Sequence, residues 1–141
     1  MAEYTAVQLQ TVEAGMNVLF FETPVESGRC NVTHREGSGV FRLRGITNQC
    51  RARYKITFGA NIAIPEGGTV EEISIALAVD GETLASATAI VTPAAVEEFF
   101  NVFTAVFVEV PRGCCLTVAV ENTSDQAIDV QNANLIVERV C

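Results

Sequence analysis

Apolar and polar residues alternate with a period of two through almost the whole chain. In residues 50–58 the apolar side chains fall on one face and the basic ones on the other, and Phe41 and Leu43 alternate with arginines in residues 40–44. Successive side chains of a β-strand point to opposite faces, so this period is typical of half-buried strands. Only residues 93–99, after Thr92, show a helix-start signal, and it covers a turn or two at most. We therefore predict an all-β protein.

Short turn signals separate the predicted strands. Asp80-Gly81 between two apolar runs predicts a two-residue hairpin. Turns are also indicated by Pro and Gly at 65–68 and 111–113, and by the polar run 122–125. Many short strands with regular turns predict an antiparallel sandwich of two sheets, with about eight to ten strands.

Length and composition fit one domain with its own core. The chain has 141 residues, of which 49% are hydrophobic, and its net charge is −8. This acidity argues against a nucleic-acid partner, because such binding depends on neutralising phosphates. No apolar run approaches the roughly 20 residues of a membrane helix, so we expect no membrane partner. The first residues lack a secretory signal pattern, and we therefore expect synthesis in the cytoplasm. We set residues 1–15 apart as an N-terminal extension and place a single domain at 16–141.

Two stretches are apolar on both faces. Residues 99–110 place Phe103 and Phe107 on one face and valines on the other, while residues 134–140 are apolar on the side of Leu135 and also on the opposite side. A strand of an antiparallel sandwich is usually wet on one side. Either these strands lie centrally in an asymmetric sandwich, or a second copy of the chain covers their outer face.

Charge is segregated along the chain. Residues 29–55 carry seven basic residues and one acid, whereas residues 56–111 carry eight acids and no Lys or Arg. Neighbouring strands can neutralise one another within the fold. Alternatively, a basic surface of one copy meets an acidic surface of the next. A stripe that binds a polyanion is a third interpretation. The candidates for a charge-paired interface are Arg42, Arg44, Arg51 and Arg53.

The chain has five cysteines, so they cannot all pair within one copy. Cysteines left over in this way can form disulfides between chains, for which Cys115 and Cys141 are the candidates. The alternative is that the cysteines are small buried hydrophobic residues plus one exposed thiol. No C-x-x-C motif is present and His34 is the only histidine, which argues against a metal site.

Motifs of the common enzyme classes are absent from the sequence. It contains no G-x-S-x-G, H-E-x-x-H, P-loop or G-x-G-x-x-G pattern. A cupin-type metal enzyme needs clustered histidines, and one histidine cannot supply them. We predict that the chain is not an enzyme, with no catalytic residues, no metal and no cofactor.

The order of the motifs resembles a known family. The segments GVFRLRG, ARYKITFGANIAIP, IALAVDGETL and FNVFTAVFVEVPRGCCLTVAVENTS follow one another as in the trimeric jelly roll of the tumour-necrosis-factor and complement-head superfamily. Among its members, the chain is most similar to bacterial and phage versions, such as the heads of collagen-like spore-surface glycoproteins. The resemblance covers about residues 16–140. The chain departs from these proteins in lacking a Gly-X-Y stalk and in having more cysteines.

The resemblance implies an antiparallel jelly-roll sandwich that forms a homotrimer or higher assembly. It also implies aromatic residues near the trimer axis, for which the candidates are Tyr54, Phe58, Phe103 and Phe107. With the two-faced stretches, we add Leu135 and Val137 to the expected interface. We therefore expect a structural protein whose partner is itself, in a phage virion or on a spore surface, outside the cell. The alternative is the head domain of a fibre that binds a receptor or a glycan.

Overall fold

A computed structural model describes residues 1–26, 31–45, 50–113 and 115–140 of the chain. These residues form eleven β-strands. The strands are β1 (Ala2–Ala6), β2 (Gln10–Val12), β3 (Glu22–Val25), β4 (Val32–His34), β5 (Val40–Arg44), β6 (Arg51–Ala63), β7 (Ile73–Val79), β8 (Glu82–Val91), β9 (Phe100–Pro111), β10 (Cys115–Asn122) and β11 (Ile128–Val140). No helix in the described part of the chain has the length and apolarity that a membrane crossing requires.

The strands form two antiparallel sheets packed as a jelly-roll sandwich. The first sheet has the order β3-β1-β11-β6-β9, with β2 also paired to β11. The second sheet has the order β4-β5-β10-β7-β8. The all-β jelly-roll prediction is confirmed. The alternation in β6 explains the packing, because every second side chain from Ala52 to Ile62 is buried against the second sheet.

The first residues belong to the first sheet and do not form an extension beside it. Strand β1 pairs along its whole length with β11, from Ala2 opposite Val137 to Ala6 opposite Ala133. Tyr4 is buried between these strands and packs its ring on Phe41 of the second sheet, with centroids 4.7 Å apart. Because of strands β1 and β2, the number of strands is eleven and exceeds the expected eight to ten. The alternation of Ala2, Tyr4 and Ala6 with Glu3 and Thr5 agrees with strand β1, since the three apolar side chains are buried.

The hairpin lies where the sequence predicts it, but bends and a turn stand where a helical turn is predicted. Asp80 and Gly81 both have positive φ angles, 52° and 83°, and join β7 to β8 with Val79 opposite Glu82. This is the conformation that an Asp-Gly hairpin favours. Residues 93–99 form bends and a turn, not a helix. Glu97 has a φ of 59°, and its N–H donates to the Ile64 carbonyl oxygen at 2.7 Å, so this bond to another segment replaces a helical one.

The buried side chain of Asn122 links three chain segments at the end of the sandwich where β10 ends. The Asn122 amide donates to the carbonyl oxygens of Val12 and Gln126, each at 2.9 Å, and its oxygen accepts from the Ser124 N–H at 2.9 Å. Asn122 is fully buried. Each bond satisfies a backbone group that would otherwise lose its contact with water.

We expect Asn122→Ala to destabilise the fold by about 2 kcal/mol, because it leaves buried backbone groups without partners. Urea unfolding followed by circular dichroism measures this loss. Asn101→Ala is the matched control, since Asn101 is exposed and its amide donates to the Asn61 side-chain oxygen. Equal losses for the two variants would contradict the role given to Asn122.

Candidate functional site

The outer face of the first sheet carries the aromatic residues with the highest exposed fractions in the described part of the chain. Phe103 is 66% exposed and Phe107 is 61% exposed, although both lie in the middle of strand β9. Their strand neighbours Val102 and Val108 are buried on the opposite face. The alternation therefore turns the valines of β9 into the core and its phenylalanines to the solvent.

Neighbouring strands extend this exposed surface. Strand register places Phe103 beside Gly59 and Ala105 beside Thr57, and Thr57 is in turn beside the half-buried Ile136. Phe107 is beside the exposed Lys55, which adds one positive charge at the border of this surface. Side chains that are paired across strands share one face of the sheet. We call this surface the phenylalanine face, and define it by Phe103, Ala105, Phe107, Thr57, Gly59 and Ile136.

Gly59 leaves room within the phenylalanine face. A Cβ atom added there would meet only the Val102 carbonyl oxygen, at 3.8 Å, which is ordinary contact. The fold of the chain itself therefore does not require glycine at this position. The consequence is that no side chain of residue 59 stands beside the exposed ring of Phe103.

Strand β9 is also the edge of the first sheet. Within the described residues no strand is hydrogen-bonded to its second side. Edge strands of monomeric proteins are usually protected by Lys, Pro or short length. This strand has 12 residues, no Lys, and a proline only at its last position, Pro111. Such an edge is typical of a strand that is covered in an assembly.

An ion-pair cluster borders the phenylalanine face. Arg51 donates to one carboxylate oxygen of Glu109 at 2.7 Å and Arg53 donates to the other at 2.9 Å. These hydrogen bonds hold the pKa of Glu109 below its ordinary value, and they raise the pKa of Arg51. All three side chains are exposed, so the cluster contributes little to stability and mainly orders this border.

We expect the double variant Arg51→Gln, Arg53→Gln to raise the pKa of Glu109 toward its ordinary value. Because the pKa of Glu109 is lowered in the folded chain, the cluster stabilises the fold at pH values above the ordinary carboxyl pKa. This stabilisation is lost as the pH falls through the lowered pKa of the folded chain. Carboxyl-carbon NMR titration measures the change. Arg112→Gln is the control, and an unchanged Glu109 titration in the double variant would contradict the assignment.

The structure separates the residues predicted for an interface. Phe103 and Phe107 lie on the open phenylalanine face, but the other predicted residues are fully buried in the core of the chain itself. Strand register explains this correction, because Phe58 is paired with both Leu135 and Thr104 on the inner face. The outer face is occupied instead by Thr57, Gly59 and Ile136, which are not in the predicted set. The predicted interface residues that the core buries are Tyr54, Phe58, Leu135 and Val137.

Tyr54 illustrates why these side chains are unavailable to a partner. Its hydroxyl donates to the Arg44 carbonyl oxygen at 2.6 Å, and its ring is 1% exposed. Burial raises the pKa of Tyr54. The tyrosine thus joins the two sheets within one chain and cannot also line a surface.

The four arginines predicted for a charge-paired interface do not form one surface. Arg51 and Arg53 lie on the first sheet and pair with Glu109 of the same chain. Arg42 and Arg44 lie on β5 of the second sheet and are exposed there. The charges of Arg51 and Arg53 are therefore neutralised by the neighbouring strand of the same chain.

The structure describes one of the two cysteines predicted to form disulfides between chains. Cys115 begins β10 and is exposed, and Cys50 directly precedes β6 and is exposed. Cys141 lies outside the described residues. Within the described ranges, no group of three or more His, Cys, Asp or Glu side chains could hold a metal ion.

Comparisons with solved structures agree on the fold. The chain is similar to the tumour necrosis factor Eiger of S. frugiperda, with a TM-score of 0.70 and 12% identity over 99% of this chain and 91% of that one. It is similar to murine APRIL, with a TM-score of 0.60 and 11% identity over 92% and 98% of the two chains. It is also similar to the globular domain of a zebrafish complement 1qA protein, with a TM-score of 0.58 and 9% identity over 96% and 94%.

These similarities show that the chain has the jelly-roll fold that is also found in tumour necrosis factors and complement heads. The identities are low, so they establish the fold and not an activity. No protein-family model and no curated protein sequence matches the chain. The fold that the sequence resemblance implied is thus confirmed.

Proposed function

We propose that the chain is a non-enzymatic structural protein that self-assembles, as a homotrimer or a higher assembly, through the phenylalanine face. The exposure of Phe103 and Phe107 on an otherwise ordered sheet is the observation that supports this most strongly. Aromatic side chains of this size carry much of the binding energy of protein interfaces. The edge of β9, which has no hydrogen-bonded strand on its second side within the described residues, supports the same conclusion.

The size of the expected contact follows from general interface properties. A stable interface buries about 800 Å² on each partner. Apolar burial contributes about 25 cal/mol per Å², and part of this gain is lost to the entropy of association. The rings of Phe103 and Phe107 would supply the apolar centre of such a contact, and the cluster of Arg51, Arg53 and Glu109 would form its polar rim.

Analytical ultracentrifugation of the reduced chain at micromolar concentration tests the proposal. We expect the wild type to sediment as a trimer or larger species. Gly59→Lys is expected to weaken association at least about tenfold, because it places a charged side chain in the centre of the contact. Its own fold has room for the new side chain.

Ile90→Lys is the matched control, since Ile90 is 58% exposed but lies on β8 of the other sheet. It should leave the oligomer unchanged. A wild type that sediments as a monomer would overturn the proposal.

The biological setting of the assembly is part of the same proposal. We infer that the assembly belongs to a phage virion or a spore surface and therefore functions outside the cell. The resemblance of the motif order to bacterial and phage heads supports this setting. Antibody labelling of intact particles or spores in electron micrographs tests it, and label confined to the cell interior would contradict it.

A receptor- or glycan-binding head is the second candidate function. The loop between β8 and β9 supports it, because Phe99 is 40% exposed there beside Glu97 and Glu98. Ligand sites commonly combine aromatic surface with a few polar groups. A glycan array probed with the wild type and with Phe99→Ala tests this function. Binding that Phe99→Ala abolishes would support it, and an array without hits would count against it.

A further inference from the structure

Two exposed cysteines lie at the same end of the sandwich. Cys50 precedes β6, and its carbonyl oxygen accepts from the Arg112 N–H at 2.9 Å. Cys115 begins β10 and is paired with Arg44. Between them, the Gly113 N–H donates to the Gly45 carbonyl oxygen at 3.3 Å and closes this end of the molecule. We call it the thiol end, and define it by Cys50 and Cys115.

The chain neighbours of the remaining cysteines lie at the thiol end as well. Cys30, Cys114 and Cys141 are outside the described residues, but each is bonded to a described residue. Asn31 accepts from the Arg44 N–H at 2.8 Å, Gly113 bonds to Gly45, and Val140 is paired with Arg53.

The thiol end borders the phenylalanine face. Arg51 follows Cys50 directly and belongs to the ion-pair cluster at the edge of that face. Val140, at the end of β11, is paired with Arg53 of the same cluster. Copies that meet on the phenylalanine face around a symmetry axis parallel to β9, as the proposed homotrimer allows, would therefore bring their thiol ends close to one another.

We propose that copies assembled through the phenylalanine face are joined covalently by disulfides between their thiol ends, an inference that rests on the proposed self-association. The odd number of cysteines supports it, because five thiols form at most two pairs within one chain. At least one thiol of each chain then remains for a partner copy. The exposure of Cys50 and Cys115 gives a partner access to them.

Bond formation needs an oxidant, for which glutathione disulfide is sufficient. A thiolate of one chain attacks glutathione disulfide, forms a mixed disulfide and releases one glutathione. A thiolate of the second chain then attacks the protein sulfur and releases the second glutathione. The two electrons and two protons that the protein thiols lose are carried by the two glutathione molecules.

Geometry restricts this reaction to assembled copies. A disulfide requires Cα atoms about 4.4–6.8 Å apart, which separate copies in solution reach only by random collision. Thiols held at an interface react at a much higher effective concentration. The cross-linked product would be stable in the oxidising environment outside a cell.

The experiment uses the full chain, reduced, then treated with glutathione disulfide at micromolar protein concentration, alkylated and analysed on denaturing gels with and without reductant. We expect covalent dimers and larger species that reductant converts to monomer. A variant with all five cysteines replaced by serine should remain a native oligomer but give only the monomer band. Cys50→Ser and Cys115→Ser, made singly, identify the contribution of each described thiol by loss of cross-linked product.

A matched control places one thiol far from the thiol end. Ser86→Cys in the five-serine background adds an exposed cysteine on β8, and it should give at least about tenfold less covalent oligomer than the wild type, because it lacks the proximity effect. Gly59→Lys should lower the wild-type yield to a similar extent, because it disrupts assembly.

Two results separate the failure of this inference from failure of the proposed function. A wild type that sediments as an oligomer but, after oxidation, contains only disulfides within one chain would overturn the inference and leave self-association intact. A wild type that sediments as a monomer would overturn both. Cross-linking equal to that of the Ser86→Cys control would also overturn the inference.

Discussion

Replacing both Phe103 and Phe107 by aspartate is expected to convert the assembly into a folded monomer. Each ring is exposed on the phenylalanine face, and loss of an aromatic residue at an interface centre typically costs about 2 kcal/mol or more. The two changes together correspond to a loss of about a thousandfold in affinity. The introduced carboxylates add the cost of burying charge in the contact. Sedimentation equilibrium across a concentration series measures the change.

The monomer formed by this double variant should keep its fold. Neither ring packs into the core, so the far-ultraviolet circular dichroism should be unchanged. The double variant Ala85→Asp, Ile90→Asp is the control of equal charge, since both residues are exposed and lie on β8 of the second sheet. If that control dissociates the assembly as strongly, the contact does not lie on the phenylalanine face.

Phe58→Ala is expected to destabilise the chain by about 3–5 kcal/mol, whereas Phe103→Ala leaves the stability of the monomer almost unchanged. Phe58 is fully buried on β6, and its removal opens a cavity that its neighbours cannot fill. Phe103, on the adjacent strand, loses only solvent-exposed surface. Urea unfolding of both variants measures the difference.

This comparison is best made in the Gly59→Lys background. Association stabilises any folded subunit by mass action, so a difference measured on the oligomer would include the effect of Phe103 on assembly. In the weakened background, only the packing within one chain contributes. Equal destabilisation by the two alanine substitutions would contradict the division of the sheet into a buried and an open face.

Alternation along a single strand predicted correctly which side chains share a face of that strand. In β9 the sequence separates phenylalanines from valines, and the structure keeps them on opposite sides. Alternation could not predict which side is turned inward, because both sides are apolar. Tyr54 and Phe58 were assigned to an interface for their aromatic character, although they share the inner face with Leu135.

The arrangement of the arginines shows the same limit. The sequence predicts that Arg51 and Arg53 project from one side of a strand, as they do. Their partner Glu109 is 56 residues away from Arg53 along the chain, and only the pairing of β6 with β9 brings the charges together. Arg42 and Arg44 have the same local pattern, but they belong to the other sheet.

The sequence by itself determined that the chain is built of strands, where the Asp80-Gly81 hairpin turns, and which residues share a side of each strand. These are local properties, since side-chain direction and turn conformation depend on a few consecutive residues. Only the tertiary structure decided that Ala2 is paired with Val137, that the phenylalanines of β9 are left in solvent, and that Cys50 and Cys115 lie at one end. Each of these depends on which distant strands become neighbours, and that is determined by the packing of the two sheets around one core.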